Sequence, residues 1–157
     1  MVLRWRKALR ALARAPARLH DRGLGWLLGH RFLVLTHVGR RSGRHHRAVL
    51  EVVQRDRRTG EVVVISGLGR GADWYRNIRI TPAVEVAISR ARFRPQQRFL
   101  DEDEAVAVLA DYEHRNRSIA PVVRALLGWL LGWRYDGGDA ARRGLVRQLP
   151  LVAFRPE

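Results

Sequence analysis

Along this chain the spacing of apolar residues changes period several times, and the changes divide it into elements. Val2, Trp5, Leu9, Leu12 and Leu19 recur at spacings of three and four or their multiples. Arg4, Lys7, Arg10, Arg14 and Arg18 fall mostly elsewhere on the wheel, so residues 2–19 predict a basic amphipathic helix, kinked at Pro16. From Arg31 the pattern turns to β, with strands expected over 31–38, 46–55 and 61–66, the last two joined by a turn from Asp56 to Gly60. Residues 61–66 are apolar almost throughout, which predicts a central strand covered on both faces. Asp73 suits the N-cap of a short helix carrying Trp74 and Ile78, stopped by Pro82.

Two further strands are expected over 83–89 and 92–100, with Ser89-Arg90-Ala91 as a tight turn. Asp101 followed by Glu104 has the spacing of a capping box, opening a helix over 102–115. Residues 119–131 place Ile119, Val122, Val123, Leu126, Leu127, Leu130 and Leu131 on one wide apolar face, suited to burial or to lining an apolar pocket. A turn at 136–139, a short helix over 139–147 and a strand over 149–154 complete the order. Runs of strands with helices inserted at one side indicate an α+β domain built on a small antiparallel barrel. The division is residues 1–30 as a basic amphipathic segment and 31–157 as the domain. The pentapeptide Gly-Trp-Leu-Leu-Gly occurs at 25–29 and again at 128–132, but no other self-similarity accompanies it.

Charge adds a direction to this layout. Of the 30 basic residues only Lys7 is a lysine, a bias expected of a GC-rich genome. Residues 1–60 hold 15 of them against Asp21, Glu51 and Asp56, so most of the net +15 lies in the first part of the chain. Such a field favours anionic partners, whether phosphorylated cofactors or acidic membrane surfaces. The N-terminal helix has two competing fates, packing its stripe on the domain or lying on an anionic membrane. No apolar run reaches the roughly 20 residues needed to span a bilayer, and arginines through positions 4–22 argue against a secretory signal. A cytoplasmic location follows, with the inner face of the cell membrane as the alternative if the helix lies on lipid. Nucleic-acid binding rests on charge alone and is not expected.

With no cysteine, disulfides, thiolate metal sites and cysteine nucleophiles are excluded. His45 and His46 are strand neighbours that point to opposite faces, a poor metal pair, while His20, His30 and His37 are scattered and read as solvent-exposed or simply hydrogen-bonded. Ser42 and Ser66 lack a nucleophile-elbow context. An enzyme with this inventory needs an organic cofactor for the hard chemistry. Two stretches suit an anionic one. The turn Gly39-Arg40-Arg41-Ser42-Gly43-Arg44 offers forked cationic donors between glycines, and Ser66-Gly67-Leu68-Gly69 leads into a short helix whose N-terminus also favours an anion.

In order and separation, these motifs, the Leu50–Val53 strand, the run from Ala72 to Val86 and the Leu149–Phe154 end resemble the deazaflavin (coenzyme F420)-dependent nitroreductase family, from about residue 31 onward. The resemblance implies a split β-barrel of the flavin-reductase-like kind. It also implies hydride transfer from reduced F420 to quinones, nitroaromatics or other small apolar, electron-poor acceptors. Carried over to this chain, Arg40, Arg41 and Ser42, with Gly43 and Arg44 of the same turn, would grip the phosphate and oligoglutamate tail. Ser66, Gly67 and Gly69 would let the backbone pass close to the cofactor, and Trp74 would help wall the site. The family often has an arginine, then a small residue and a proline, before its second strand. The corresponding positions here hold His46, Ala48 and Val49, which makes one charged contact pH-dependent. Tyr112 and Tyr135 are the available candidates for a proton donor. The competing readings are an FMN flavoprotein in the same barrel and a non-catalytic ligand-binding protein of the same fold.

Overall fold

The computed structural model describes residues 29–157. Its elements are β1 (Phe32–Val38), β2 (His45–Arg55), β3 (Val62–Ile65), α1 (Asp73–Ile78), β4 (Glu85–Ile88), β5 (Ala91–Phe93), β6 (Pro95–Phe99), α2 (Glu102–Arg115), α3 (Ala120–Leu131), α4 (Asp139–Gln148) and β7 (Leu151–Pro156). The helix expected over 2–19, and with it the proposed 1–30 segment, lies outside the described residues except for its last two positions.

The strands form one sheet in the order β5-β4-β1-β2-β3-β7-β6, every neighbouring pair antiparallel. Only Arg94 separates β5 from β6, so the single strand expected over 92–100 is a bent segment that occupies both outer positions of the sheet. By joining the two margins it brings the sheet close to a closed barrel. The β4–β5 hairpin has a two-residue turn, Ser89-Arg90, with Ile88 paired to Ala91.

Strand alternation then sorts the side chains into two cores. Leu33, Leu35, Leu50, Val52, Val62, Val64, Val86, Ile88, Val152 and Phe154 point into the barrel, where Trp74, Tyr75 and Ile78 of α1 pack on them. Val53, Val63, Leu151 and Ala153 point outward against α2 and α4, which contribute Ala105, Val106, Val108, Leu109, Leu145 and Val146. The same alternation turns the consecutive valines 52 and 53 to opposite cores, and the β2–β3 register shifts between Val52 and Gln54. Val62, Val63 and Val64 are all buried, as expected of a strand covered on both faces.

Local differences from the sequence reading have identifiable causes. Asp101 does cap α2, accepting the Glu104 N–H at 2.8 Å, but the Glu104 carboxylate turns to Arg98 at 2.7 Å instead of reaching back. A cation within reach outcompetes the neutral backbone donor. Ala72, not Asp73, precedes α1, and the Asp73 carboxylate is drawn to Arg40. The wide apolar face of α3 is only partly buried, because Ile119 and Val122 are exposed. The last strand starts at Leu151, two residues later than expected, since α4 continues through Gln148.

Candidate functional site

The β1–β2 hairpin carries the basic turn. Its last strand pair is Val38 with His45, and the connection 39–44 is closed by the Gly39 N–H to the Arg44 carbonyl and the Gly43 N–H to the Gly39 carbonyl, both at 2.8 Å. Gly43 has φ of +65°, which an L side chain would resist. A Cβ on Gly39 would lie 2.6 Å from Ser42 Oγ and 2.7 Å from His46 Nε2, so a side chain there would displace the Ser42–His46 contact.

Within this turn the arginines have different tasks. Arg40 is tied to α1: its backbone N–H donates to Asn77 Oδ1 at 3.2 Å, Nη1 donates to the same oxygen at 2.9 Å, and Nη1 and Nη2 both reach Asp73 Oδ1 at 3.1 Å. Its side chain is 16% exposed. The first turn of this six-residue helix thus carries its own carboxylate, already paired with a cation, and the anion-favouring role expected of the helix start does not hold. Arg41 and Arg44 project from the exposed part of the turn, and neither guanidinium has an ion-pair partner among the described residues. Ser42 Oγ accepts the Arg44 N–H at 3.3 Å and lies 3.2 Å from His46 Nε2.

Beneath the turn lies a group absent from the sequence-derived set. With Asn77 Oδ1 occupied by Arg40, Asn77 Nδ2 donates to His37 Nδ1 at 3.0 Å. His37 therefore accepts at Nδ1, and its neutral ring carries the proton on Nε2. His37 is 4% exposed and stacks on His46 with ring centroids 5.9 Å apart. Burial, with a smaller push from His46 and against a pull from Asp73, lowers its pKa to about 4. The available signal was register: a hairpin closed by residues 39–44 sets His37 opposite His46.

The loop after β3 leads into the N-terminus of the same helix. Ser66 is fully buried, its N–H donating to the Pro150 carbonyl at 3.0 Å and its hydroxyl to the Gly69 carbonyl at 2.7 Å. Gly69 has φ of +71°, and a Cβ there would sit 2.9 Å from the Gln148 carbonyl oxygen. Ser66 and Gly69 thus serve their own chain, whereas Gly67 is exposed with open space at its Cβ position. Trp74 is buried in the barrel core, edge-on to Tyr75 at 5.8 Å, and Tyr75 is edge-on to the half-exposed Phe99 at 5.6 Å. Tyr75 and Phe99, with Arg70 and Arg79, line a cleft of about 440 Å³ that extends to Pro150 and Leu151.

Tyr112 and Tyr135 belong to the outer layer between the sheet and its covering helices. The Tyr112 hydroxyl donates to Glu51 at 2.7 Å, and that of Tyr135 donates to Glu113. Burial, reinforced by the neighbouring carboxylates, pushes the Tyr112 phenol up to about 12 and that of Tyr135 upward as well. The structure does not bring either phenol to the basic turn, to which His37, Arg40, Asp73 and Asn77 are linked. No group of three or more potential metal ligands occurs among the described residues.

The family model for F420H(2)-dependent quinone reductase matches residues 10–121, well over half of the chain. The chain belongs to that family. Reduced F420 is the cofactor in the family's name, and the protein is accordingly an F420-dependent reductase with a barrel fold. The chain is similar to several solved structures. A protein of unknown function from Agrobacterium tumefaciens is 11% identical with a TM-score of 0.51, covering 84% of this chain and 51% of that one. An F420-H2 dependent reductase is 17% identical with a TM-score of 0.46, over 82% of this chain and 96% of its own. A pyridoxamine 5'-phosphate oxidase-related, FMN-binding protein from Nostoc punctiforme is 18% identical with a TM-score of 0.43, over 97% and 80%. No curated protein matches the chain.

Proposed function

We propose that this F420H(2)-dependent quinone reductase family member holds the anionic part of reduced F420 on the exposed half of the 39–44 turn and reduces a quinone, with nitroaromatics as further acceptors. The observation that carries the reading is the division of labour in the turn. Arg40 is spent on fixing the turn to α1, which leaves the Arg41 and Arg44 guanidiniums presented, and unpaired among the described residues, beside an open Gly43. Two presented cations on an anchored turn fit a cofactor bearing a phosphodiester and an oligoglutamate tail. Bound reduced F420 supplies a hydride.

The chain's own residues orient and shield. Ser42 and His46 extend the donor surface next to Arg44, and Gly67 gives the backbone an open approach. The aromatic floor made by Tyr75 and Phe99 suits a flat apolar acceptor, with Arg70 and Arg79 beside it. Tyr112 and Tyr135, whose hydroxyls already donate to carboxylates, hold α2 against the outer layer in this reading and do not deliver the proton. Among the described residues no helix is long and apolar enough to cross a membrane.

The test is a fluorescence titration of the purified protein with F420 at two salt concentrations, with FMN as comparison, followed by turnover assays on quinones and nitroaromatics. Saturable F420 binding that weakens with salt, FMN binding far weaker, and quinone turnover are expected. Binding indifferent to salt, or a preference for FMN, would remove the turn as the anion site.

A further inference from the structure

Alternation carries the inward row of β1, Leu33 and Leu35, on to His37, and the inward row of β2, Leu50 and Ala48, on to His46. The two imidazoles are the last inward pair before the 39–44 turn, and they stand where the barrel's apolar interior ends. His46 is exposed, whereas His37 is buried. A polar ring in that position needs partners for both of its nitrogens.

One nitrogen has its partner, and in a fixed sense. Arg40 offers only donors, and its backbone N–H and Nη1 both meet Asn77 Oδ1. That orients the amide, so Asn77 Nδ2 donates to His37 Nδ1 and the imidazole proton lies on Nε2. The chain from Arg40 through Asn77 to His37 runs donor to acceptor at each link, and it ends in an N–H that meets no acceptor among the described residues. That N–H is not sealed away, because the wholly buried, unsatisfied side-chain atoms among the described residues are Arg124 Nε and Arg142 Nε. The small surface that His37 keeps therefore includes Nε2. Beside it the His46 ring is stacked at 5.9 Å, with its Nε2 3.2 Å from Ser42 Oγ, which in turn accepts the Arg44 N–H. This row from the turn to His37 contains no carboxylate, and Asp73, whose pull His37 feels, is engaged by Arg40.

We propose that the His37 Nε2–H is a further cofactor-binding donor, given to a phosphodiester oxygen of F420 when the anionic part of the cofactor lies on the turn. The inference rests on the turn being the anion site. The end of a donor chain calls for an acceptor that carries no proton, and the oxygens of a phosphodiester are unprotonated near neutral pH. With Nδ1 held by Asn77, the ring cannot change tautomer to present a lone pair at Nε2, and burial keeps it from taking a second proton above about pH 4. Arg41 and Arg44 attract an anion from any direction, whereas a neutral donor of fixed sense gives the bound group an orientation. His37 thus adds direction to the site without adding charge.

NMR of the full-length protein with isotope-labelled histidine nitrogens reads the ring directly, and the signals lost in His37→Gln identify it. The free protein should show the Nε2–H tautomer. On saturation with F420 the Nε2–H signal should shift and its exchange with water should slow. Inorganic phosphate should shift it in the same direction, and the deazaflavin headgroup lacking the phosphodiester should not. His37→Leu, which fills the space without a donor, should weaken F420 binding roughly three- to tenfold in fluorescence titrations, and His37→Gln, whose amide still donates, should recover most of that. Thermal melts report whether the variants fold, and the NMR measurement on the unaltered chain stands without them. Three results would overturn the proposal. The first is an Nε2–H undisturbed by F420 while Arg41→Ala and Arg44→Ala still lose affinity, which keeps the turn as the anion site and reduces His37 to a support for Asn77. The second is a response to the headgroup alone, which would assign the donor to a ring carbonyl, and the third is a free-protein ring that carries its proton on Nδ1. Normal F420 binding by both arginine variants would instead remove the turn as the anion site, and this assignment with it.

Discussion

Arg40 and its two neighbours in the turn should respond to mutation in opposite ways. Arg40→Ala removes the guanidinium contacts to Asp73 and Asn77. Asp73 is 65% exposed, so water takes over much of what that ion pair supplies, and its share is at most about 1 kcal/mol. Asn77 is 4% exposed and its Oδ1 keeps only the 3.2 Å bond from the Arg40 N–H, so the loss there is about 1 to 2 kcal/mol. Together the substitution costs about 2 kcal/mol, which for 157 residues is a fall of roughly 4–8 °C in Tm. Arg41→Ala and Arg44→Ala break no ion pair among the described residues and should change stability by less than about 0.5 kcal/mol. Each removes charge-assisted hydrogen bonds to the bound anion, at about 1.5–3 kcal/mol apiece, so F420 affinity should fall roughly 10- to 100-fold. Thermal melts and F420 fluorescence titrations on the three single variants separate the effects. If Arg40→Ala melts like wild type but loses F420, while Arg41→Ala and Arg44→Ala bind normally, the division of labour is wrong and Arg40 is the gripping residue.

Three other expectations concern the surroundings of the turn and the loop. His37, with its pKa lowered to about 4 from 6.5, is neutral when folded and protonates earlier when unfolded; its contribution is fully present above about pH 6.5 and is lost as pH falls toward 4. That loss amounts to roughly 3 kcal/mol, and urea unfolding across this window should show it in wild type but not in His37→Gln. Gly69→Ala combines a disfavoured positive φ with a 2.9 Å contact to the Gln148 carbonyl, and should cost about 2 kcal/mol or more by denaturant titration; a neutral result would mean that the 66–69 loop is not seated on the α4–β7 connection. Tyr112→Phe and Tyr135→Phe should lower stability by about 1 kcal/mol each and leave kcat within about twofold, whereas a large fall in kcat with KM unchanged would restore one of them as the proton donor.

Much of the architecture was readable because it depends on local period. The alternation of β1 and β2, the uniformly apolar β3 and the Asp101 cap of α2 each express a rule that operates within a few residues. Partnerships across the fold were not readable in that way. Nothing near Asp73 in sequence announces that Arg40, 33 residues earlier, will claim its carboxylate, and nothing near Asn77 announces His37, 40 residues earlier. The sequence therefore treated the arginines of the turn as one cluster, whereas tertiary contacts separate Arg40 from Arg41 and Arg44. Ser66 and Gly69 were singled out for a close approach to a cofactor, whereas the neighbours the structure gives them are Pro150 and Gln148, which only the docking of α4 and β7 brings close.

The place of β7 in the sheet limits the order in which the molecule can assemble. Val152, Ala153 and Phe154 are wholly buried, and β7 pairs with β3 on one side and β6 on the other, Pro95 lying opposite Pro156. While residues 151–156 are still inside the ribosome, the growing chain holds β3 and β6 with the strand between them missing. The barrel therefore closes only after β7 has been synthesised, and until then one edge of β3 has no strand to pair with.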